Sequence, residues 1–492
     1  MQALPSEIYP VEVVRDVDRS AIEEHGIPGY ELMVRAAAAA LEHARMRFST
    51  GSLWQFVAGP GNNAGDAWAM ARLARAEGQS VEVVSLVDPE RLGGDAARAC
   101  ADYLAAGGRH TRWAGELDPA AGLVVDGLFG SGLVRDVGGP FAAAVAAINA
   151  HHGAVMALDI PSGIHGNTGH ALGTAVRAEL TVAFVGLKPG YFLADGIDHS
   201  GDLCFAGLDV PRECYPLEKA CLRRLADAER MRLLGRRRRN AHKGDFGHVL
   251  IVGGSPGMPG AALLAGRAAL RAGAGRVSVA THPVHAGAVA GACPELMVRG
   301  VADASELAPM IDAASVLALG PGLGDDDWAG AIYGAAAASG RPAVWDAGAL
   351  ARLASASRGH PERILTPHPG EAAALLGSTA ADVQADRVGA LGALTAGYGS
   401  TVVLKGAATL TGIAGSVPWL CTAGNPGMAT AGMGDALTGV IAALRAQGMS
   451  SELAAALGVE VHARAGDRAA CAGERGLLAG DVIEAVRREV NV

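Results

Sequence analysis

Two successive sets of short, Val-rich apolar runs alternate with Ala-rich stretches, and this alternation constrains the fold more than any other feature. In the first half the runs are 54–59, 81–87, 122–130, 154–163 and 180–186. In the second half they are 249–254, 276–281, 316–322, 342–348, 363–371 and 401–406. Short apolar runs ending in glycine predict buried strands, and Ala-rich stretches favour helices. The sequence therefore predicts two α/β units, each with a mostly parallel sheet covered on both faces.

A charged stretch separates the two sets of strands. It reads RRLADAERMRLLGRRRRNAHKGDFG and begins near residue 222. We therefore predict a first domain at 1–222, a linker at 223–240 and a second domain at 241–492. The run Arg236–Arg239 is either a solvated linker or a nucleic-acid patch. The formal net charge of −9 favours the linker and argues against a nucleic-acid partner.

Cysteine usage and hydropathy predict the compartment. The seven cysteines are scattered without CxxC spacing, which disfavours a disulfide framework and a zinc site. No apolar stretch reaches the length of about 20 residues that a transmembrane helix needs. The first 20 residues have early acids and no long apolar core, so they do not predict a signal peptide. We expect a cytoplasmic protein without a membrane partner.

Three polar loops follow predicted strands of the first half: GPGNNAGD at 59–66, DGLFGSG at 126–132 and DIPSG at 159–163. The carboxyl ends of parallel strands meet at one edge of a sheet, so these loops should form one site. Asp126 and Asp159 each end a strand. Either carboxylate, taken alone, could be a helix cap or turn residue, and the Asn-rich loop could be a tight turn. Taken together, carboxylate, amide and hydroxyl oxygens suit an alkali or alkaline-earth cation.

In the second half, the loop Gly424–Asp435 is rich in glycine and leads into a predicted helix. Such a loop can hold an anion on its backbone amides, with Asp435 placed to act on a hydroxyl group. Asp435 could instead only cap the helix. His368, in TPHPGE, is either a loop histidine or a ligand-binding residue. Lys405 ends a strand and is either a surface lysine or a phosphate-binding group.

The three loops of the first half resemble, in this order, the NAD(P)H-hydrate epimerase domain, over about residues 10–215. The resemblance implies a Rossmann-like three-layer α/β/α fold and potassium bound by Asn63, Asp126 and Ser162. It also implies that Asp159 contacts the substrate, and we expect this residue to be the catalytic acid and base. Ala64 and Ala67 stand where the family usually has glycine. The implied substrate-binding residues are Asn62, Asn63, Ala64, Gly65, Asp66, Gly130, Ser131, Gly132, Leu133, Val134, Arg135, Asp136 and Asp159.

The second half resembles the ADP- or ATP-dependent NAD(P)H-hydrate dehydratases over about residues 230–490. The ordered set His242-Lys243-Gly244, GPGLG at 320–324, TPHPGE, LKGAAT and GMGD carries this resemblance. It implies a ribokinase-like α/β fold, magnesium for phosphoryl transfer, and ADP rather than ATP, since bacterial members usually use ADP. The implied substrate contacts are Ala261, Gly322, His368 and Asp435, with Asp435 as a catalytic residue. The implied nucleotide-binding residues are Lys405, Gly406, Ala407, Ala408, Thr409 and Gly434.

Together the two resemblances predict an enzyme that repairs hydrated NADH and NADPH (NADHX and NADPHX). It would interconvert the R and S hydrates and dehydrate the S form, converting ADP to AMP and phosphate, or ATP to ADP and phosphate. We also expect a homo-oligomer. One alternative is a ribokinase-like small-molecule kinase with an accessory first domain. Another makes the first half a non-catalytic scaffold, which the presence of Asp126, Asp159 and Ser162 disfavours.

Overall fold

A computed structural model describes residues 4–353 and 359–491. Contacts between residues divide the chain into two compact units, 1–222 and 223–492. The strands and helices of the first unit are β1 (Glu7–Ile8), α1 (Val11–Glu23), α2 (Gly29–Arg47), β2 (Leu53–Ala58), α3 (Asn62–Ala76), β3 (Val81–Ser85), α4 (Gly94–Ala105), β4 (Arg109–Arg112), β5 (Ala121–Gly127), α5 (Gly139–Ala150), β6 (Ala154–Leu158), β7 (Leu180–Phe184), α6 (Gly196–His199) and β8 (Asp202–Ala206).

The sheet of the first unit has seven parallel strands in the order β4-β3-β2-β5-β6-β7-β8. Side chains alternate between its two faces, as the period of a strand requires. Trp54 and Phe56 of β2 pack in a core with residues of α1 to α4. Val57, between Phe56 and Ala58, packs in a second core with residues of α5. The unit is therefore a three-layer α/β/α structure.

Strand β9 (Leu222–Arg223) spans the division between the units. The remaining elements are α7 (Asp227–Leu233), β10 (His248–Val252), α8 (Pro259–Arg271), β11 (Arg276–Thr281), α9 (Ala286–Ala292), β12 (Met297–Gly300), α10 (Ala304–Ala313), β13 (Val316–Leu319), α11 (Asp327–Ala338), β14 (Ala343–Trp345), α12 (Gly348–Leu353), β15 (Arg363–Leu365), α13 (Pro369–Leu376), α14 (Ala380–Ala385), α15 (Arg387–Tyr398), β16 (Thr401–Leu404), β17 (Leu410–Gly412), β18 (Trp419–Leu420), α16 (Met433–Ala446), α17 (Ser451–Ala469) and α18 (Ala479–Glu489).

The second sheet runs β18-β17-β16-β15-β14-β13-β10-β11-β12. Strands β10 to β16 pair in parallel, and the β16–β17–β18 end is antiparallel. Val249 and Ile251 of β10 pack in a core with α8, α16, α17 and α18. Leu250 and Val252, which point to the opposite face, are also fully buried. The predicted α/β class is therefore confirmed in both units.

The segment 223–240 contributes contacts to the second unit. Arg230, on α7, is buried and donates a hydrogen bond to the Glu489 carbonyl oxygen at 3.2 Å. Arg237 stacks on Phe246, with its guanidinium carbon 3.6 Å from the ring centroid. All four arginines of the 236–239 run are exposed. Arg237 thus contacts the second unit through its guanidinium group, and the whole basic run remains on the surface.

Among the residues that the structure describes, no helix combines the length and the apolar character needed to cross a membrane.

Candidate active sites

Loops after β2, β5, β6 and β7 meet at one edge of the first sheet. Strands β3 and β5 flank β2 on opposite sides, and ligands in open α/β sheets bind where the strand order reverses in this way. These loops and helix α1 line a cavity of about 610 Å³. At Gly59 a Cβ atom would lie 1.9 Å from the Leu128 carbonyl oxygen. Only glycine therefore permits the loops after β2 and β5 to approach this closely.

Asp159 lines this cavity and has a strained backbone conformation. Its φ is +61°, which non-glycine residues rarely adopt. One carboxylate oxygen, Oδ1, lies 2.6 Å from Lys188 Nζ, and Oδ2 accepts a hydrogen bond from Ser131 N at 3.0 Å. Tyr191 donates its hydroxyl hydrogen to the Asp159 carbonyl oxygen at 2.8 Å. The surrounding contacts thus hold both the carboxylate and its backbone in one geometry.

The Lys188–Asp159 pair sets the charge of the site. Burial alone would raise the pKa of Asp159, but the Lys188 ammonium outweighs it and holds that pKa below its usual value. Burial likewise opposes the charge on Lys188, yet Asp159 raises the lysine pKa. Asp159 is therefore ionised at neutral pH. Sequence reasoning missed Lys188 and Tyr191; the signal was the LKPGY segment directly after an apolar strand.

Three further carboxylates line the same cavity: Asp66, on α3, Asp18, on α1, and Asp95, on α4. Burial, reinforced by the charges of Asp159 and Asp18, raises the pKa of Asp66 well above its usual range. Burial also raises the pKa of Asp18 to about 6, with Lys188 opposing and Asp159 reinforcing the shift. The cavity therefore contains one ionised, paired carboxylate and two carboxylates that bind protons more readily. Asp18 belongs to none of the motifs in the sequence.

Most of the residues predicted to bind the epimerase substrate line this cavity. They are Asn62, Asn63, Asp66, Gly130, Ser131, Gly132, Leu133, Val134, Arg135 and Asp159. Ala64 and Gly65 are instead buried within α3, and Asp136 is exposed beyond the lining. The Ala67 methyl packs where a Cβ on Gly127 would lie, 2.5 Å away, so it faces the sheet. Neither Ala64 nor Ala67 lines the cavity.

Asn63, Asp126 and Ser162 lie beside the cavity and are all buried. The Asn63 amide nitrogen donates to the Phe129 carbonyl oxygen at 3.0 Å, while its Oδ1 is buried without a hydrogen-bond partner. Ser162 donates from both Oγ and N to the Asp126 carboxylate, at 2.7 and 2.8 Å. Burial raises the pKa of Asp126 to about 6 despite these bonds. A buried carboxylate near an unsatisfied amide oxygen fits a cation with oxygen ligands.

No group of three or more His, Cys, Asp or Glu side chains able to hold a metal ion occurs within residues 4–353 and 359–491.

In the second unit the loops after β10 and β13 are joined by backbone hydrogen bonds. Gly254 N donates to the Pro321 carbonyl oxygen at 3.0 Å, and Ser255 N donates to the Gly322 carbonyl oxygen at 2.8 Å. A Cβ on Gly322 would lie 3.1 Å from the Ala261 Cβ. The structure thus brings together two predicted substrate contacts, Ala261 and Gly322, where the strand order reverses around β10.

A second buried lysine–aspartate pair lies at the ends of β14 and β16. Lys405 Nζ is 2.8 Å from Asp346 Oδ1 and 3.7 Å from Glu371 Oε2. Thr438, on α16, donates to Asp346 Oδ2 at 3.0 Å. Burial opposes the ammonium charge, but Asp346 and Glu371 outweigh it and raise the pKa of Lys405. Sequence reasoning missed Asp346, although it ends a quoted strand just as Asp126 and Asp159 do.

Asp435 lies in the first turn of α16, after Gly432, whose φ of +87° starts the helix. A Cβ on Gly434 would lie 3.3 Å from Lys405 Nζ, so the predicted residues Lys405, Gly434 and Asp435 share one site. The Asp435 carboxylate has no hydrogen-bond partner in the described parts of the chain. Burial, reinforced by Asp346 and opposed by Lys405, raises the pKa of Asp435 to about 6. Asp435 is therefore half-buried near Lys405 and makes no capping hydrogen bond.

His368 is the N-cap residue of α13. Its Nδ1 accepts hydrogen bonds from Gly370 N at 3.0 Å and Glu371 N at 3.3 Å. The Glu371 carboxylate in turn accepts from His368 N at 2.8 Å. Its Nε2 lies 3.6 Å from Glu371 Oε1, and the side chain is 57% exposed. The histidine therefore caps the helix, and its imidazole also lies beside the Glu371 carboxylate.

The predicted nucleotide loop, 405–409, is held by a buried arginine that sequence reasoning missed. Arg387 donates to the Leu404 carbonyl oxygen at 3.1 Å and to the carbonyl oxygens of Lys405 and Ala408 at 3.4 and 3.5 Å. Thr409 Oγ1 donates to the Gly406 carbonyl oxygen at 2.8 Å. Lys405 N donates to the Pro367 carbonyl oxygen at 2.9 Å. The loop is thus ordered through its carbonyl oxygens and its first amide, which leaves the amides of 406–409 available to a ligand.

The Gly-rich loop 424–435 is anchored at its start by α17. Asp467 accepts hydrogen bonds from Gly424 N and from Asn425 Nδ2, both at 2.9 Å.

His462, also on α17, is buried, and its Nε2 has no hydrogen-bond partner in the described chain. Burial, followed by the Lys405 charge, lowers the pKa of His462 to about 4. His462 is therefore uncharged at neutral pH, so it adds no positive charge to the second site.

Two family profiles match the chain. The one described as YjeF-related protein N-terminus matches residues 29–190, and the one described as NAD(P)H-hydrate dehydratase matches 249–488. The bifunctional NAD(P)H-hydrate repair enzyme Nnr of Coxiella burnetii is 41% identical, over 98% of this chain and 99% of its own. That of Escherichia coli is 36% identical, over 99% and 95%. A solved structure of a hypothetical protein from Streptococcus mutans covers 54% of this chain and 98% of its own, with TM-score 0.51 and 30% identity.

Proposed function

The chain belongs to the bifunctional NAD(P)H-hydrate repair enzymes, and we propose that each of its two sites carries one of the two activities. It is an NAD(P)H-hydrate epimerase and a nucleotide-dependent NAD(P)H-hydrate dehydratase. Its first unit is Rossmann-like and its second unit is a ribokinase-like α/β structure. We assign epimerisation to 1–222 and dehydration to 241–492, joined by 223–240. The order of the two profile matches along the chain supports this division.

For the epimerase we propose that the hydrate ring enters the cavity beside Asp159. The ring nitrogen assists departure of the neighbouring hydroxyl group, which leaves a planar cation. Water then adds to either face, and this interconverts the two epimers. Asp159 is ionised and fixed by Lys188 and Ser131, so it can stabilise the cation and accept the proton of the incoming water. Its lowered pKa supports the role of base rather than acid.

We further propose that potassium is bound by Asn63, Asp126 and Ser162. The unpartnered Asn63 Oδ1 and the buried Asp126 carboxylate support this assignment. A Cβ on Gly130 would lie 3.5 Å from Asn63 Cβ and 3.1 Å from Asp159 Oδ2. A cation at Asn63 would therefore order the loop that also supports Asp159. When bound, potassium supplies positive charge that neutralises Asp126.

For the dehydratase we propose two steps. The substrate hydroxyl oxygen attacks the terminal phosphoryl group of the nucleotide, Asp435 takes the hydroxyl proton, and the bond to the leaving phosphate oxygen breaks. The ring nitrogen then expels phosphate, and loss of a neighbouring ring proton restores the reduced nicotinamide. Phosphate leaves far more readily than hydroxide, which explains why this dehydration consumes a nucleotide.

The proposed contacts of the dehydratase are those predicted above. Lys405 to Thr409 and Gly434 hold the nucleotide, and Ala261, Gly322 and His368 contact the hydrate. Magnesium usually binds through substrate phosphates and one or two carboxylates. Asp346 and Glu371, both within 4 Å of Lys405 Nζ, are carboxylates that fit this requirement. Magnesium would neutralise phosphate charge. We propose ADP as the preferred nucleotide, with ATP as the alternative.

We also propose a cytoplasmic, homo-oligomeric protein that acts on both NADHX and NADPHX. The seven cysteines are all free thiols, which supports a reducing compartment. Sedimentation of the purified chain tests the oligomeric state, and parallel assays with the two hydrates test the breadth of substrate.

The single observation that carries this proposal is that each unit has a buried lysine–aspartate pair beside a carboxylate of raised pKa. Incubation of the full chain with a mixture of both hydrate epimers and ADP or ATP tests it. We expect both epimers to be converted to reduced nicotinamide with ADP or ATP, and the epimers to interconvert without nucleotide. A stable phosphorylated product would instead indicate a small-molecule kinase.

A further inference from the structure

Helix α1 contributes an acid to the epimerase cavity although it lies outside the segment that the family profile matches. The profile match begins at residue 29, and α1 spans Val11–Glu23. Val14, Arg15 and Asp18 of this helix line the cavity together with Asp66 and Asp159. Residues at i, i+1 and i+4 share one side of a helix. One side of α1 therefore faces the cavity, and Asp18 is the acidic residue on that side.

Contacts at the start of α1 hold this helix in place. Val11 N donates to Asn167 Oδ1 at 2.8 Å, and Asn167 Nδ2 donates to the Glu12 carboxylate at 3.1 Å. A Cβ on Gly186 would lie only 2.9 Å from Val14 Cγ2, so the helix packs closely against the loop that carries Lys188. Asp18 follows Val14 by one helical turn. The packing of α1 therefore fixes the position of Asp18 over the cavity.

The cavity carboxylates differ in their partners. Asp159 is bound to Lys188 and Ser131, whereas neither Asp18 nor Asp66 has a hydrogen-bond partner among residues 4–353 and 359–491. The charged groups that line this cavity with Asp18 are Lys188, Asp159, Asp66, Asp95, Arg15 and Arg135, and the Tyr215 hydroxyl also interacts with the Asp18 charge. Burial and the Asp159 charge raise the pKa of Asp18 against the opposing charge of Lys188, so this carboxyl group binds a proton more readily than an exposed one.

We infer that Asp18 is a further catalytic residue of the epimerase, which delivers a proton to the departing hydroxyl group. The Asp18 proton moves to the hydroxyl oxygen, the carbon–oxygen bond breaks with its electron pair leaving on water, and the nitrogen lone pair forms the carbon–nitrogen double bond. A water molecule then attacks the opposite face and gives its proton to Asp159. Asp159 loses that proton to solvent, and Asp18 regains one from solvent.

This inference rests on the epimerase activity proposed above, and the substitution Asp18→Asn in the full chain tests it separately. Asparagine keeps the shape but cannot carry the proton, and loss of the Asp18 charge also lowers the proton affinity of Asp66. We expect kcat for epimerisation, after subtraction of the uncatalysed rate, to fall about 100-fold at neutral pH, with KM changed less than about threefold. The high-pH limb of the rate profile should move to lower pH.

Asp16→Asn is the matched control, because Asp16 lies on the same helix, exposed and paired with Arg19. It should leave the epimerase rate unchanged, and dehydration of the S hydrate should persist in both variants. Asp18→Glu, which keeps a carboxyl group, should recover at least about one tenth of the lost activity. The inference is overturned if Asp18→Asn matches the control, or if the Asn and Glu variants are equally inactive with normal melting temperatures. A wild-type chain without epimerase activity would refute the proposed function instead.

Discussion

Each of the two sites of this chain contains a lysine–aspartate ion pair, but the residues around the two pairs differ. In the first, Lys188 lies 2.6 Å from Asp159, and in the second Lys405 lies 2.8 Å from Asp346. Each pair keeps one buried carboxylate ionised. Beside each pair stands an acid with a pKa of about 6, Asp18 in the first site and Asp435 in the second. A fixed charge next to a group that exchanges protons suits both reactions.

The residues around the two ion pairs differ according to the group that each site transfers, a proton in the first and a phosphoryl group in the second. The first cavity is lined by carboxylates and amides among many apolar side chains, and its backbone strain lies at Asp159 and Val185, with φ of +61° and +62°. The second site instead has a Gly-rich loop that leads into the N-terminus of α16, close to Lys405. Helix N-termini and lysine hold phosphate. The comparison shows how a proton-transfer site and a phosphoryl-transfer site can be built around one type of ion pair.

Removal of Lys188 should produce the largest effect, because it leaves Asp159 as an unpaired buried charge. Lys188→Met should cost about 3–5 kcal/mol of stability at neutral pH. In that variant the pKa of Asp159 should rise above its unfolded value, so the lost stability should return in part as the pH falls. Lys405→Met should cost less, since the Lys405 side chain is 18% exposed, against 2% for Lys188. Calorimetry of both variants at two pH values measures this, and equal losses would contradict the comparison.

Asp435→Asn should separate catalysis from stability in the second site. We expect nucleotide-dependent dehydration to fall at least about 100-fold, with epimerisation intact. The folded pKa of Asp435 lies above its unfolded value, so its stabilising effect exists only at low pH and is lost as the pH rises through about 6. Removal of the charge at neutral pH should therefore leave the melting temperature unchanged or higher.

The wild-type enzyme provides the control for that variant. Its kcat/KM for dehydration should fall as the pH drops through about 6, where the base becomes protonated. The residual rate of Asp435→Asn should lack this limb. Near-normal dehydration by the variant would mean that another group accepts the proton.

Potassium should distinguish the first site from the second. Asp126→Asn removes the buried charge that a cation would neutralise, so epimerisation by the variant should no longer respond to KCl added at constant ionic strength. Dehydration of the S hydrate by the same preparation serves as the internal control. A wild-type epimerase that is equally active in potassium, sodium and tetramethylammonium would exclude the proposed cation site.

The smallest effect should come from His368→Asn. Asparagine is also a good N-cap residue, so the melting temperature should change little, whereas His368→Ala should cost about 1 kcal/mol. Loss of the exposed imidazole should raise the KM for the hydrate by about three- to tenfold, the worth of one hydrogen bond. An unchanged KM in the Asn variant would leave His368 with only its capping role.

Local pattern was enough to place the strands and the loops that follow them. Apolar runs such as 276–281 coincide with strand β11, and Asp126, Asp159 and Asp435 were found because they adjoin strand ends or a Gly-rich loop. Edge strands were missed: β4 reads RHTR and is mostly exposed, so it carries no apolar signal. Such strands form because a neighbouring strand offers hydrogen bonds, which is a tertiary condition.

By itself, the sequence determined two α/β units, the loops at which each site forms and the family resemblance, because these depend on periodicity and on short motifs. Only the tertiary structure decided which distant side chains meet. Lys188 pairs with Asp159 across 29 residues, and Lys405 pairs with Asp346 across 59. Asp18 reaches the cavity from a helix outside the motifs. The charge of each acid depends on burial and on these partners, and neither is a property of local sequence.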